Sequence, residues 1–466
     1  MTVNYYSLIP VAQWFFILYF IVVNLGYLTL NCIALISIYR YMQREVILGI
    51  EKQSSRLEPP VSLLVPAYNE ETTISASIRS LLQINYPEYE IIIINDGSKD
   101  RTLEALKNDF SLVLVPETVR KRIPGKPILG MYISKAYPVI RVIDKENGGK
   151  ADALNAGINA SHYPIFCSVD ADSILQRDSL TKVVQPFLED PYVIASGGSV
   201  RAVNGCVVSG GYLVESGLPK NPIALFQIIE YLRAYLIGRL GWSELNSLMI
   251  ISGAFGLYRK DAVIEAGGYN PETVGEDMEL IVRLHRLMRK KRKRYSITFI
   301  PDPICWTEVP ENLETLRNQR IRWQRGLAES LLLNRELAFS RNGGVVGWFA
   351  FPFMVLFELL GSVVEMVGYL FTFVGFYLGV ISAAAFFSFI FIAIGLGVLL
   401  SVNSLLVEEM SFKMYKKPSS LLLLFFFSVA ENFGYRQINS WWRVLGFWQF
   451  LRGKRGGWGE MKRKGW

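Results

Sequence analysis

Apolar positions along this chain fall into two regimes. From residue 11 to about residue 39 they are nearly continuous, uncharged and rich in Phe, Ile, Val and Leu. That length exceeds the roughly 20 residues a helix needs to cross hydrocarbon, which predicts a membrane anchor. A cleaved signal peptide fits less well, because the run is too long, has no basic start and shows no small-residue cleavage site. A second apolar block extends, with interruptions, from 345 to 451. Its first part, 345–380, carries Glu358 and Glu365 and is too long for one straight span. An interfacial segment leading into a span, or one long tilted helix, is expected there. A cleaner span covers 381–407, Lys413, Lys416, Lys417 and Pro418 mark a turn, and 421–430 begins another apolar run. Glu431, Asn432, Tyr435, Arg436, Gln437 and Asn439 at its end are costly in lipid and should face protein or water.

Between these blocks, from 59 to 340, short apolar runs at 61–65, 91–94, 139–142, 165–169 and 193–195 alternate with helical patterns. Such alternation predicts an α/β domain, a parallel sheet with helices on both faces. Ligands of these sheets bind outside the carboxyl ends of the strands. The expected organisation is a transmembrane helix over 1–40, a cytoplasmic domain over 41–340 and a membrane region with a basic tail over 341–466.

Charge sets the orientation. Arg40, Arg44, Lys52 and Arg56 follow the first span, which places the next domain in the cytoplasm and the N-terminus outside. Arg452, Lys454, Arg455, Lys462, Arg463 and Lys464 put the C-terminus on the same inner side, so three or five membrane helices are expected in a multi-pass protein of the cell (inner or plasma) membrane. With 466 residues, 51% hydrophobic and 19% charged, the chain has room for a catalytic domain plus membrane segments. Its net charge of +8 suits anionic headgroups, sugar nucleotides and nucleic acid alike. The basic run 286–294 lacks interleaved aromatics, which favours a solvated face or headgroup contact over nucleic-acid binding. Four scattered cysteines and two histidines exclude a Cys/His zinc site or a disulfide framework as the organising feature. Neither a G-x-G-x-x-G nor a Walker loop follows a strand.

The polar residues at the strand ends are the candidates for chemistry. The first strand runs into Pro66, Ala67, Tyr68, Asn69 and Glu70, the second into Asn95, Asp96, Gly97 and Ser98. Acid and amide groups on neighbouring strand ends can accept hydrogen bonds from a base and ribose, although ordinary turn and cap chemistry uses the same residues. Lys150, at a helix start behind Gly148 and Gly149, can place a cation and free backbone donors beside an anion; a solvated helix start reads the same way. Asp170 and Asp172 follow a buried-looking run and would share a face if that segment stays extended. Such a pair suits Mg2+ or Mn2+ shared with phosphates and water. Glu276 and Asp277 open an apolar helix, where acids are favourable for structure alone and can also serve as general base. His285 is expected on the surface of that helix. In the stretch 319–323, Arg320 and Arg322 offer forked donors to phosphate and Trp323 a flat face to a sugar ring. An interfacial Arg/Trp belt would use the same residues.

Taken in order, the segments 66–70, 95–98, 147–155, 170–172, 276–277 and 319–323 resemble the family 2 glycosyltransferases, specifically their membrane-integrated processive synthases of cellulose, hyaluronan and poly-N-acetylglucosamine. The resemblance covers about 59–326. It implies a nucleotide-sugar-binding domain of glycosyltransferase A type fused to a helical transmembrane region. The implied activity is a metal-dependent, inverting hexosyltransferase that polymerises a UDP-sugar into a β-linked polysaccharide and secretes it through its own helices. A non-processive transferase acting on a membrane lipid is the alternative. By the same resemblance, Asp96 holds the nucleotide, with Ala67, Tyr68, Glu70, Lys150 and Asp170 around the nucleotide-sugar. Asp172, aided by Asp170, holds Mg2+ or Mn2+. Asp277 is the base, with Glu276 beside it. Gln319, Arg322 and Trp323 sit at the acceptor end and the diphosphate, and 252–260 is an acceptor-side segment. The implied partners are the UDP-sugar donor, a growing glycan or lipid acceptor and membrane lipids, with room for a small accessory subunit or secretion partner and no nucleic acid. Two departures leave the sugar open: Gly275 stands where many relatives have Thr, and no regulatory domain like that of bacterial cellulose synthase is found.

Overall fold

The computed structural model describes residues 5–51, 58–116, 119–209 and 211–453. Lys52, Arg56, Lys454, Arg455, Lys462, Arg463 and Lys464, which contribute to the orientation argument, lie outside the described residues.

The described residues between the apolar ends contain twelve strands: β1 (Val61–Ala67), β2 (Tyr89–Asp96), β3 (Leu112–Val115), β4 (Ile128–Ser134), β5 (Ile140–Lys145), β6 (Ile165–Val169), β7 (Ile174–Leu175), β8 (Val193–Ala202), β9 (Val207–Ser209), β10 (Tyr212–Glu215), β11 (Phe255–Arg259) and β12 (Ser296–Thr307). Ten of them form one sheet in the order β3-β4-β5-β2-β1-β6-β11-β8-β12-β7, while β9 and β10 pair separately. Each of the five apolar runs in the sequence is a strand. The sheet is mixed rather than wholly parallel. Strands β5, β2, β1 and β6 run parallel, with Leu63 beside both Ile91 and Cys167. Strand β11 inserts antiparallel between β6 and β8. A five-residue strand with glycine at its second position has too little apolar periodicity to be separated from a loop in sequence.

Parallel neighbours deliver their carboxyl ends to one rim. Residues 67–70, 96–98 and 170–172 therefore meet there, joined by the turn after β5. The first two loops are stapled across the rim. Asn69 N donates to Ser98 Oγ at 3.0 Å, and Lys99 N donates to Asn69 Oδ1 at 2.8 Å. Asn69 itself holds a left-handed backbone, φ 56°, which asparagine tolerates better than most residues.

The first helix, Tyr5–Glu51, is continuous from the apolar run into its basic end. Among the described residues two segments, Ile9–Arg44 and Ala383–Ser411, are long and apolar enough to cross a membrane; a third is added if Val346–Leu359 and Gly361–Tyr377, bent by 44° at their junction, count as one span. The bend answers the excess length of 345–380: the chain breaks its helix instead of tilting a single one. Helix Pro418–Ala430 is apolar but short. Glu431 and Asn432 at its end are buried in protein, as their cost in lipid requires, with Glu431 paired to Arg233 and accepting from Ser401 Oγ.

A buried ion pair ties the sheet to the apolar C-terminal helices. Arg201 on β8 meets Glu408 near the end of the span Ala383–Ser411, and the two residues are 5% and 1% exposed. Deleting one partner of so buried a pair strands the other charge, which costs about 3–5 kcal/mol. Glu408→Ala should accordingly lower the thermal unfolding midpoint of the detergent-solubilised protein by several degrees, and an unchanged midpoint would show that the pair is not a structural tie.

Candidate active site

Asp96 ends β2 and organises the first wall of the site. Its Oδ1 accepts from Lys145 Nζ at 2.6 Å and Gly148 N at 3.0 Å, and its Oδ2 accepts from Gly149 N at 2.7 Å. Lys145 is fully buried and also pairs with Asp152 at 2.6 Å. The turn needs its glycines: Gly149 lies at φ +85°, and a Cβ on Gly97 would stand 2.7 Å from Asn147 N. Asp96 thus shapes the turn that starts helix Lys150–Ala160 as well as facing the cavity.

Lys150, the first residue of that helix, points back over the rim. Its ammonium contacts Asp170, lies 3.7 Å from Glu276 Oε1 and donates to Gly253 O at 3.1 Å. Burial opposes its charge, but Asp170, Glu276 and Asp277 outweigh burial and raise the Lys150 pKa above the ordinary lysine value. The Gly253 peptide serves both sides, because its N–H donates to Asp277 Oδ2 at 2.9 Å. A Cβ on Gly253 would lie 3.1 Å from Lys150 Nζ and 3.3 Å from Asp277 Oδ2, so glycine lets the cation and the acid close on one peptide.

Asp170 and Asp172 both line this cavity, but not for the reason alternation suggests. Ser173 N donates to Asp170 O at 3.0 Å, so the chain turns there to begin β7 and does not stay extended. Among the described residues no group of three or more His, Cys, Asp or Glu is placed to hold a metal. The two Asp carboxylates are a hard oxygen pair, which fits Mg2+ or Mn2+ only with further ligands from a bound diphosphate and water.

Glu276 and Asp277 begin helix Glu276–Lys290 and differ in setting. Glu276 is buried against Lys150, whereas Asp277 is half-buried and accepts from Gly253 N and, through Oδ1, from Met278 N at 2.8 Å. His285, expected on the helix surface, is fully buried. Its Nδ1 pairs with Tyr295 Oη at 2.7 Å and its Nε2 with Leu248 O at 2.8 Å, and burial lowers its pKa to about 4. It is a neutral packing residue behind the site.

Residues 319–323 lie on helix Leu313–Leu333, which Asn312 caps by accepting from Thr315 N at 2.8 Å. Gln319, Arg322 and Trp323 line the cavity. Arg320 lines it too, but the structure gives its fork to Glu230, two 2.8 Å contacts, rather than leaving it for phosphate. Gly275 has its reason in this helix: a Cβ there would stand 2.9 Å from the Cα of Gly326. The backbones touch, and a threonine at 275 would push the two segments apart.

One cavity of about 1190 Å³ joins all of these groups. It takes in Ala67, Tyr68, Glu70 and Asp96 at the strand ends, then Lys150, Asp170, Asp172, Glu276 and Asp277, then Trp323. Beyond Trp323 it continues among membrane-region residues Tyr19, Tyr27, Glu358, Glu365 and Arg443. Sequence reasoning missed Glu230, Gln324 and Arg443. Glu230 did carry a signal, as a lone acid inside the apolar helix Pro222–Tyr231. Arg443 lies over a hundred residues from Gln324, yet its Nε donates to Gln324 Oε1 at 2.9 Å.

Burial is the main cause that pushes the Glu276 carboxyl up to about 7; Lys150 opposes this and Asp277 adds to it. A carboxyl raised in the folded state binds a proton there that the unfolded chain has already lost. Its contribution to stability therefore falls as pH rises from the ordinary carboxylate range to about 7 and is flat above it. Glu276→Gln should remove that segment of the pH dependence of the unfolding midpoint, measured from pH 4 to 8; an unaltered profile would mean that Glu276 does not titrate there.

Comparison with known proteins identifies the family. A model of glycosyl transferase family 2 matches residues 62–123, and a model of glycosyl transferase family group 2 matches 165–402, just over half of the chain. A poly-beta-1,6-N-acetyl-D-glucosamine synthase of Staphylococcus aureus (strain COL) is 32% identical over 307 residues, 64% of this chain and 62% of that protein. The enzyme of that name from Staphylococcus epidermidis is 30% identical over 303 residues, with coverage of 64% and 62%. The match thus spans less than two thirds of these relatives' length. Mannosyltransferase PcManGT from Pyrobaculum calidifontis, solved with GDP-Man and Mn2+, aligns over 94% of this chain and 99% of its own at 15% identity and a TM-score of 0.48. With a mixed α/β sheet and a match over 165–402, more than half of its length, this chain belongs to glycosyl transferase family group 2.

Proposed function

We propose that this protein is a membrane-integrated, inverting hexosyltransferase that polymerises a UDP-sugar into a β-linked polysaccharide and passes the product through its own membrane helices. The observation that carries the reading is the single cavity running from the acid cluster past Trp323 to Tyr19, Glu358 and Arg443.

The donor would lie along the strand ends. Tyr68, 41% exposed, offers a ring beside the base, and the turn that Asp96 builds would receive the nucleotide. Lys150 and Arg322 face the volume in which a diphosphate would sit. Asp170 and Asp172 would hold a divalent cation there, whose charge would neutralise the departing diphosphate. Asp277, oriented by Gly253 N and Met278 N, would take the proton of the acceptor hydroxyl. The acceptor oxygen then bonds to the anomeric carbon as the bond to the diphosphate breaks, and the diphosphate leaves with the electron pair. One displacement inverts the centre, so an α-linked donor gives a β-linkage. Asp277 is the more exposed of the two acids that open helix Glu276–Lys290, and Glu276 is the buried one.

The membrane half of the cavity suits a glycan. Arg443 pairs with Glu358 at 2.9 Å, and Ser440 Oγ donates to Glu365 Oε2 at 2.7 Å. Ionisable groups set among apolar helices and turned to a cavity mark a polar path. Tyr19 and Phe357, ring centroids 5.4 Å apart, add apolar surface for sugar faces.

Purified protein in nanodiscs, supplied with Mn2+ and labelled UDP-N-acetylglucosamine or other UDP-sugars, should yield a long polymer. A lipid carrying a single sugar would overturn polymerisation, and no transfer would overturn the whole reading. Asp277→Asn should reduce transfer by about 10²–10⁴-fold while UDP binding, read by calorimetry, stays within a factor of two. Parallel loss of binding would remove Asp277 from the role of base.

A further inference from the structure

Arg320 stands inside the segment 319–323, yet its guanidinium is taken up by another side chain. Glu230, from helix Pro222–Tyr231, takes both ends of its fork: Nη1 to Oε1 and Nη2 to Oε2, each at 2.8 Å. Tyr435 Oη donates to the same Glu230 Oε2 at 3.1 Å, and its ring stacks on Phe226 with centroids 4.6 Å apart. Three helices thus converge on one carboxylate. The guanidinium carbon lies 4.4 Å from the centroid of the Trp323 ring. Arg320 is 4% exposed and Trp323 41%. A planar cation laid over one face of an indole leaves the opposite face to the cavity.

We propose that Glu230, Arg320 and Tyr435 form a positioning cluster that backs Trp323 and makes it a one-sided platform for the terminal pyranose of the acceptor. The inference rests on the glycan-acceptor reading above. Arg320 acts through Trp323 and touches neither donor nor acceptor. Its charge is matched by Glu230, so it adds no net attraction for the diphosphate. Helix Tyr435–Leu451 keeps the cluster in place, because a Cβ on Gly446 would lie 2.7 Å from Ile321 O and the two helices therefore pack backbone to backbone.

The test uses the full chain in nanodiscs with UDP-N-acetylglucosamine as donor and a soluble β-1,6-linked N-acetylglucosamine oligosaccharide, the sugar in the relatives' names, as acceptor. Arg320→Gln should raise the acceptor KM about tenfold, the scale of one well-placed cation–π contact in a desolvated setting, while the donor KM stays within twofold. Arg320→Lys, which keeps a cation but not the fork, should recover part of the loss. Placing Arg320→Gln on a Trp323→Ala background should give no further rise, because two residues acting as one unit are not additive. Additive effects, an equal rise in donor KM, or an unchanged acceptor KM would overturn the inference. Tyr435→Phe, which removes one hydroxyl and keeps the stack on Phe226, should move acceptor KM in the same direction without threatening the fold; no movement in it counts against the cluster. If the wild-type protein transfers to no acceptor, the polymerase reading fails and this inference with it, an outcome distinct from additivity.

Discussion

The site depends on one buried ammonium. Lys150 sits among Asp170, Glu276 and Asp277, carboxyl groups that come from the end of one strand and the start of one helix. Without a cation between them, acids so close and so poorly solvated would repel one another or take up protons. With it, they converge on a single volume. The Gly253 peptide completes the arrangement by giving its oxygen to Lys150 and its N–H to Asp277. Lys150, Asp277 and the loop carrying Gly253 therefore hold one another. The same charge that stabilises the cluster lines the cavity.

A second constraint sets how the membrane region meets that cluster. Gly275 and Gly326 let the helix bearing residues 319–323 touch the backbone just before Glu276. From this contact the helix carries Trp323 to the cavity and Gln324 towards the membrane. Gln324 donates to Leu359 O at 3.0 Å and accepts from Arg443, which in turn pairs with Glu358. Helix Leu313–Leu333 is thus tied at Gly326 to the backbone before Glu276 and at Gln324 to the apolar C-terminal helices. Paired charges are the means throughout: Glu230 with Arg320, Arg233 with Glu431 and Arg201 with Glu408 each satisfy groups that lipid or a dry interior would penalise. The departure from threonine at 275 follows from packing.

Legibility in the sequence tracked the range of the interaction. Strands β1, β2, β5, β6 and β8 announce themselves through local apolar runs, and the acids at their ends stand next to glycine and asparagine turns. Strand β11 did not, because its place between β6 and β8 comes from pairing with residues some sixty to ninety positions away. His285 was misplaced for a related reason. Its helix has a polar surface, yet Tyr295 and Leu248 from elsewhere in the chain close over it. The pairing of Asp170 with Asp172 was anticipated on a geometry the chain does not adopt, since a turn replaces the extended strand.

By itself, the sequence determined the alternation of strands and helices, the apolar runs at either end and the order of the polar motifs, because each depends on residues within a few positions of one another. Tertiary structure alone decided that Arg320 belongs to Glu230 and Tyr435, that Gly275 answers Gly326, and that the acid cluster and the membrane helices share one cavity. Those outcomes depend on side chains about 50 to 200 residues apart, brought together by sheet order and helix packing, which local pattern does not encode.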